Sequence, residues 1–433
     1  MDSVCPERSV TCVTWNHDGS NLAVGLRCGF IIYSTELLHL VDGKLFEILF
    51  QPVDGGAGLI ALHGQCNLVL ISGWAYDHKA TVAIYDLSVK EEEHNSRDCA
   101  VLAKVTMAEA VNGLCFHPLL VMVGTESGLV HVFNQKLEKI QEYKTSQKIR
   151  TFAGATSKMA LGTMLDKEVA GGVNYLLLRG VVAGPTPGSV RCIRYVSERS
   201  MEVESSQSSL EEEGGCAAGP LEENVVELHT AEVQCIAITV DGRCAVTVSA
   251  RGTMLKLLDV RKGVVIGQYS RGAAPNTVLS LALHQWIDRT VLTCISDSGT
   301  LHIFHGPPLK RSSEHHETAD TTADAKWSVP VVQRFNDYIS SVGAKFRITI
   351  PEDGLSDVHC RERLDVGMAY STVVRIHDAS LSPTILVAQR YIKRDGTSSK
   401  GRLLFIKVDM AAEVPGVART KDLRSFYFPK SEM

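Results

Sequence analysis

Apolar residues recur along this chain in short runs that alternate with polar positions and are cut by Gly, Asn and Asp. Residues 10–35 read VTCVTWNHDGSNLAVGLRCGFIIYST. An alternating run reaches the Asp18-Gly19 turn, a second apolar run follows, and a third starts after Gly29 and ends at Tyr33. The same unit returns at residues 111–135, 233–260 and 278–306, and fainter copies occupy 58–87, 151–196 and 366–408. Alternation with a period of two, punctuated by turn residues, predicts antiparallel strands. A self-similar unit of three such strands is the inner part of a propeller blade. Seven units therefore predict an all-β chain, with residues 1–433 forming a single seven-bladed β-propeller. It is of a divergent WD40 type, because the Trp-Asp dipeptide is absent.

Two stretches interrupt the repeats. Residues 197–224 (SERSMEVESSQSSLEEEGGCAAGPLEEN) are rich in Ser, Glu and Gly and read as a mobile acidic loop between the fourth and fifth blades. The run Glu211-Glu212-Glu213 within it is most simply a solvated face. Residues 305–342 form a long loop of the sixth blade that begins polar and turns apolar at WSVPVVQRFNDYISSV. There Val331 or Val332, Phe335, Ile339 and Val342 recur at helical spacing, as in an amphipathic segment. The other reading is that the end of this stretch packs on the blade and leads into the strand AKFRITI.

Composition narrows the function classes. The 433 residues carry a net charge of -5, so no global basic field draws the chain to nucleic acid or anionic lipid, and anion recognition has to be local. The polar start is not a secretory signal, and no stretch approaches the roughly 20 apolar residues of a spanning helix. Membrane association is expected to be peripheral. None of the twelve cysteines forms a Cys-x-x-Cys pair, and Cys12, Cys115, Cys235 and Cys294 sit in alternating apolar runs, so reduced core cysteines of a cytosolic protein are expected rather than zinc ligands. His315-His316 reads as part of a solvated loop rather than a metal site. No nucleophile elbow, Walker loop or dinucleotide fingerprint is present, and the expectation is a chain without catalytic residues or cofactor.

The fifth and sixth units are joined by KGVVIGQYSRGAAPNTVLSL. This junction holds Tyr269-Ser270-Arg271-Gly272. The next unit reaches Ser296-Asp297-Ser298-Gly299-Thr300-Leu301-His302-Ile303-Phe304. The preceding unit has His229 at its head and Ser249-Ala250-Arg251-Gly252-Thr253 at its turn. Taken singly, these residues have ordinary structural readings. An Arg before Gly is commonly a solvated turn residue, Ser-x-x-Gly-Thr hydroxyls cap turns, and His302 alternates with Leu301 and Ile303 as an outward strand residue would. Taken together, and with NHDGSNLAVGLRCGFIIY in the opening unit, the pattern resembles the PROPPINs, the autophagy-linked phosphoinositide-binding propellers that include the WIPI proteins.

That family has a Phe/Leu-Arg-Arg-Gly tetrapeptide at this junction, whose two arginines serve separate headgroup sites on the rim. Arg suits the task because its planar, permanently charged fork matches phosphate oxygens. The resemblance implies a second site of Arg271, Ser296, Thr300 and His302. It implies a first site of His229, Ser249 and Thr253, in which Ser270 replaces the first arginine and Arg251 is a nearby cation. It further implies that the sixth-blade loop inserts into the bilayer, and Trp327, Val329 and Phe335 are the apolar candidates. The implied ligands are phosphatidylinositol 3-phosphate and phosphatidylinositol 3,5-bisphosphate. The implied setting is cytoplasmic and peripheral, on preautophagosomal, endosomal, lysosomal or vacuolar membranes, as a monomer that recruits an autophagy lipid-transfer protein. The rival reading is a WD-repeat-type propeller that acts only as a protein-interaction scaffold.

Overall fold

The computed structural model describes residues 9–35, 45–64, 66–88, 99–149, 158–170, 173–198, 221–286, 289–305, 342–343, 346–349, 368–375, 384–391, 401–408 and 420–428. Within them lie seven sheets of four or five strands, each built mainly from consecutive antiparallel strands. The first strands of successive sheets touch one another around a ring, and the seventh touches the first. The seven-bladed propeller expected from the repeats is therefore the fold.

Apolar alternation explains the arrangement. The second strand of the fifth blade, Cys244–Ser249, is buried along its whole length. Its Ala245 packs into the seam with the fourth blade, and Cys244, Val246 and Val248 pack into the seam with the sixth. Side chains alternate across a strand, so a blade with neighbours on both faces needs apolar residues at nearly every inner position. Seven apolar clusters result, one in each seam between blades.

Each three-run unit gains a fourth, outer strand that the repeat pattern does not signal. In the first blade it is Phe46–Pro52 and in the third Lys139–Lys144, both mostly solvent-facing. Such strands have one sheet neighbour and send only a few side chains, such as Phe50 and Tyr143, into a seam, so their sequences are polar or mixed.

The ends of the chain meet without exchanging strands. Among the described residues, the first blade consists of Val10–Trp15, Asn21–Leu26, Gly29–Ser34 and Phe46–Pro52. The seventh uses Met368–Arg375, Thr384–Tyr391, Gly401–Val408 and Thr420–Phe428. Side-chain packing closes the ring: Val10, Leu22 and Val24 share a core with Leu386, Leu403 and Phe405. Arg390, fully buried, donates from Nη1 to the Val10 carbonyl at 3.3 Å.

The acidic stretch lies elsewhere than its composition suggests. Ser189–Glu198 and Leu221–Glu227 pair as neighbouring strands of the fourth blade, so the segment joins two strands of that blade rather than two blades. Residues 197–198 and 221–224 are strand, and 199–220 fall outside the described residues.

Candidate functional site at the junction of the fifth and sixth blades

The fifth blade comprises Val233–Ile238, Cys244–Ser249, Met254–Asp259 and Val264–Ser270. The sixth comprises Val278–Trp286, Arg289–Ser296, Thr300–His305 and the outer strand Phe346–Thr349. Arg271 follows the last residue of the fifth blade's Val264–Ser270 strand, where its N–H donates to the Thr253 carbonyl at 2.8 Å. Residues that face each other across a ladder share a sheet face. Ser270 is paired with Met254, and Tyr269 with Leu255. Leu255 and Tyr269 belong to the seam with the sixth blade. Alternation therefore sends Ser270 toward the fourth blade and Arg271 toward the sixth.

The sixth blade presents the matching residues. Cys294 and Phe304 lie in the same seam, and Cys294 is opposite His302 in the ladder. Ser296 is two positions beyond Cys294, and Thr300 two before His302, so all of them take the face turned toward the fifth blade. His302 stacks on Phe304 with ring centroids 6.4 Å apart and is only 4% exposed. Ser296 Oγ is 2.8 Å from Ser298 Oγ, and Ser298 donates to Thr300 Oγ1 at 3.3 Å, which makes a short chain of hydroxyls around the turn at Gly299. Ser298, which the motif reading passed over, links the other two.

Arg271 is 5% exposed. Its Nε donates to the Gly252 carbonyl and its Nη2 to the Ala274 carbonyl at 2.5 Å. Gly252 has φ of +64°, and a Cβ there would lie 1.8 Å from the Asn276 carbonyl oxygen. Only glycine fits, so the turn Ser249–Gly252 lies flat against the junction and holds the guanidinium plane. The charge reaches Cys294: burial pushes that thiol up to about 12, and Arg271 opposes the rise. Register and alternation thus turn Ser296, Thr300 and His302 toward the blade that ends in Arg271, whose charge acts on Cys294 of the same seam.

The first site is assembled differently from its motif. His229 Nε2 lies 2.9 Å from Thr247 Oγ1. Lys256, opposite Thr247 in the ladder, donates from Nζ to the Leu228 carbonyl. Burial pulls the His229 imidazole down to about 4, the Lys256 charge adds to that, and Thr247 works against it. Burial also lowers Lys256. Ser249, two residues from Thr247, takes the same sheet face. Thr253 stands across the ladder from Arg271, and Arg251 is exposed on the turn. Lys256 and Thr247 were missed in the sequence. Strand alternation from Met254 puts Lys256 on the face toward the fourth blade, and counting the ladder from the 250–253 turn pairs it with Thr247, so both were within reach of pattern reasoning.

Val342–Gly343 pairs in parallel with Tyr269–Ser270, so the end of the long stretch docks as an added strand on the fifth blade, beside Ser270. Val342 is therefore strand, not the last turn of an amphipathic segment. Phe346–Thr349 completes the sixth blade. Trp327, Val329 and Phe335 lie outside the described residues.

No family model matches the chain. It is 23% identical to Autophagy-related protein 21 of Pichia angusta over 293 residues, which is 67% of this chain and 64% of that relative, just under two thirds of its length. It is 27% identical to Autophagy-related protein 18 of Kluyveromyces lactis over 113 residues, 26% of this chain and 22% of that one. Among solved structures, Hsv2 of Kluyveromyces lactis superposes with a TM-score of 0.57 at 16% identity, covering 96% of this chain and 98% of the other. The complex of KlAtg21 with the coiled-coil of AgAtg16 matches with a TM-score of 0.54 at 12% identity over 96% of this chain and 99% of the other. The chain is thus similar in sequence to autophagy-related proteins 18 and 21 and shares the propeller fold of the solved Hsv2 structures.

Proposed function

We propose that this chain binds the phosphorylated inositol headgroups of phosphatidylinositol 3-phosphate and phosphatidylinositol 3,5-bisphosphate in the seam between its fifth and sixth blades. It would thereby dock peripherally on autophagic and endolysosomal membranes. The observation that carries this reading is the strand register, which turns Ser296, Thr300 and His302 toward the seam that Arg271 enters. Arg271 supplies a permanent charge, the hydroxyls of Ser296, Ser298 and Thr300 supply short donors, and His302 supplies a ring nitrogen. The seam with the fourth blade offers a second, weaker site, in which Lys256 takes the place left by Ser270 beside His229, Thr247 and Ser249.

One headgroup holds a protein weakly, and stable anchoring takes two signals. The second signal in this reading is apolar insertion by Trp327, Val329 and Phe335. Recruitment of an autophagy lipid-transfer protein belongs to the same proposal. Flotation on phosphatidylcholine liposomes, with and without phosphatidylinositol 3-phosphate, is the test. Lipid-dependent flotation is expected. A chain that never floats is a protein-interaction scaffold.

A further inference from the structure

A cavity of about 630 Å³ opens between the third and fifth blades, with Lys158 at the edge of the fourth, and its far rim reaches Cys235 and Val278 of the seam with the sixth. Its size falls in the range of about 300–1,000 Å³ typical of ligand sites. Lys144 and Lys148 stand on one wall, exposed, with no ion-pair or hydrogen-bond partner for either ammonium among the described residues. Lys158 braces that wall, donating to Gln147 Oε1 at 3.0 Å and to the Lys148 carbonyl at 3.2 Å. Glu232 stands among the other lining residues. Its backbone carbonyl accepts from the Ala250 N–H at 2.8 Å, and its Oε2 is buried without a hydrogen-bond partner among the described residues.

These walls ask for opposite things. Two ammonium groups call for anionic acceptors, and a buried carboxylate oxygen without a partner calls for a donor, because it has lost water without gaining a replacement bond. A bare phosphate satisfies the first and is repelled by the second. A polypeptide carries both, with carboxylate side chains and backbone N–H groups a few ångströms apart. We infer that the cavity is a docking site for an acidic peptide segment of a partner protein, its carboxylates on Lys144 and Lys148 and an N–H on Glu232. This goes beyond headgroup binding and does not depend on it.

The test is selection from a library of random peptides displayed on phage, using the full chain as bait, followed by fluorescence anisotropy of the most enriched peptide. Enrichment in Asp and Glu is expected. Lys144→Glu with Lys148→Glu should weaken that peptide roughly tenfold or more, because charges facing one another across an interface are coupled strongly. Both lysines are exposed, so this variant should melt like the wild type. Glu232→Gln should weaken binding as well, and Arg271→Ala should leave it unchanged. The inference fails if no acidic bias emerges, or if the double lysine variant binds equally well. It also fails if Arg271→Ala abolishes binding, which would put the peptide at the headgroup seam, or if soluble inositol 1,3-bisphosphate displaces the peptide from the Arg271→Ala variant, which would make the cavity a phosphate site.

Discussion

His302 stands directly opposite Cys294 in the sixth blade, and Cys294 feels the charge of Arg271 from the fifth. One ladder pair thus ties the histidine of the motif to an arginine 31 positions earlier in the chain. His302→Ala should weaken binding of soluble inositol 1,3-bisphosphate by about 1.5–3 kcal/mol, the scale of one hydrogen bond to a charged group. Titration calorimetry reads the change, and an unaltered constant would remove His302 from the site.

The first site should be the weaker one. Lys256 is a point charge already donating to the Leu228 carbonyl, where the family pattern has a forked arginine. Headgroup titration is expected to show one strong equivalent, with a weak second that Lys256→Gln abolishes. Ser270→Arg should tighten liposome binding. Two equal sites in the unaltered chain would contradict this ranking.

Acid should act in two directions. An unfolded imidazole takes its proton near 6.5, whereas folded His229 does so at about 4 and His117 at about 3, both chiefly because of burial. Between about 6.5 and about 4 the unfolded state binds more protons, so stability falls as pH falls through that window. A phosphate beside His229 favours the imidazolium and raises its pKa, so first-site binding should strengthen as pH drops from about 7 to about 5.5. Melting curves and headgroup titrations across pH check the two trends, and His229→Gln should flatten the second.

Ring closure rests on packing instead of an exchanged strand, which makes Arg390 a sensitive position. Arg390→Ala removes a fully buried side chain, opens a void between the first and seventh blades and strips the Val10 carbonyl of a donor. A loss of about 2–4 kcal/mol is expected in urea unfolding, in the range of large-to-small core changes. A loss under about 1 kcal/mol would place closure elsewhere in the seam.

The inner three strands of each blade were legible because both of their faces are buried, which leaves apolar alternation at nearly every position. The outer strands were not, since Phe46–Pro52 and Lys139–Lys144 are only partly buried and send few side chains into a seam, which leaves their pattern loose. Arg271, Ser296, Thr300 and His302 could be named from the motif, and the register brings them to one seam. Lys256 escaped notice because it lies mid-strand in MLKLLD, where a single cation looks like an outward residue until Thr247 is seen across the ladder. That Ser189–Glu198 and Leu221–Glu227 are neighbouring strands of one blade depended on pairing between segments distant in sequence, which composition does not encode.

The central claim turns on Arg271, held by the Gly252 and Ala274 carbonyls at the junction toward which Ser296, Thr300 and His302 face. The most direct measurement is flotation of the wild type and of Arg271→Ala on liposomes containing phosphatidylinositol 3-phosphate, with melting curves to establish that both are folded. The wild type should float only when the lipid is present, and the folded variant should stay at the bottom of the gradient. Equal flotation of the two would contradict the headgroup site.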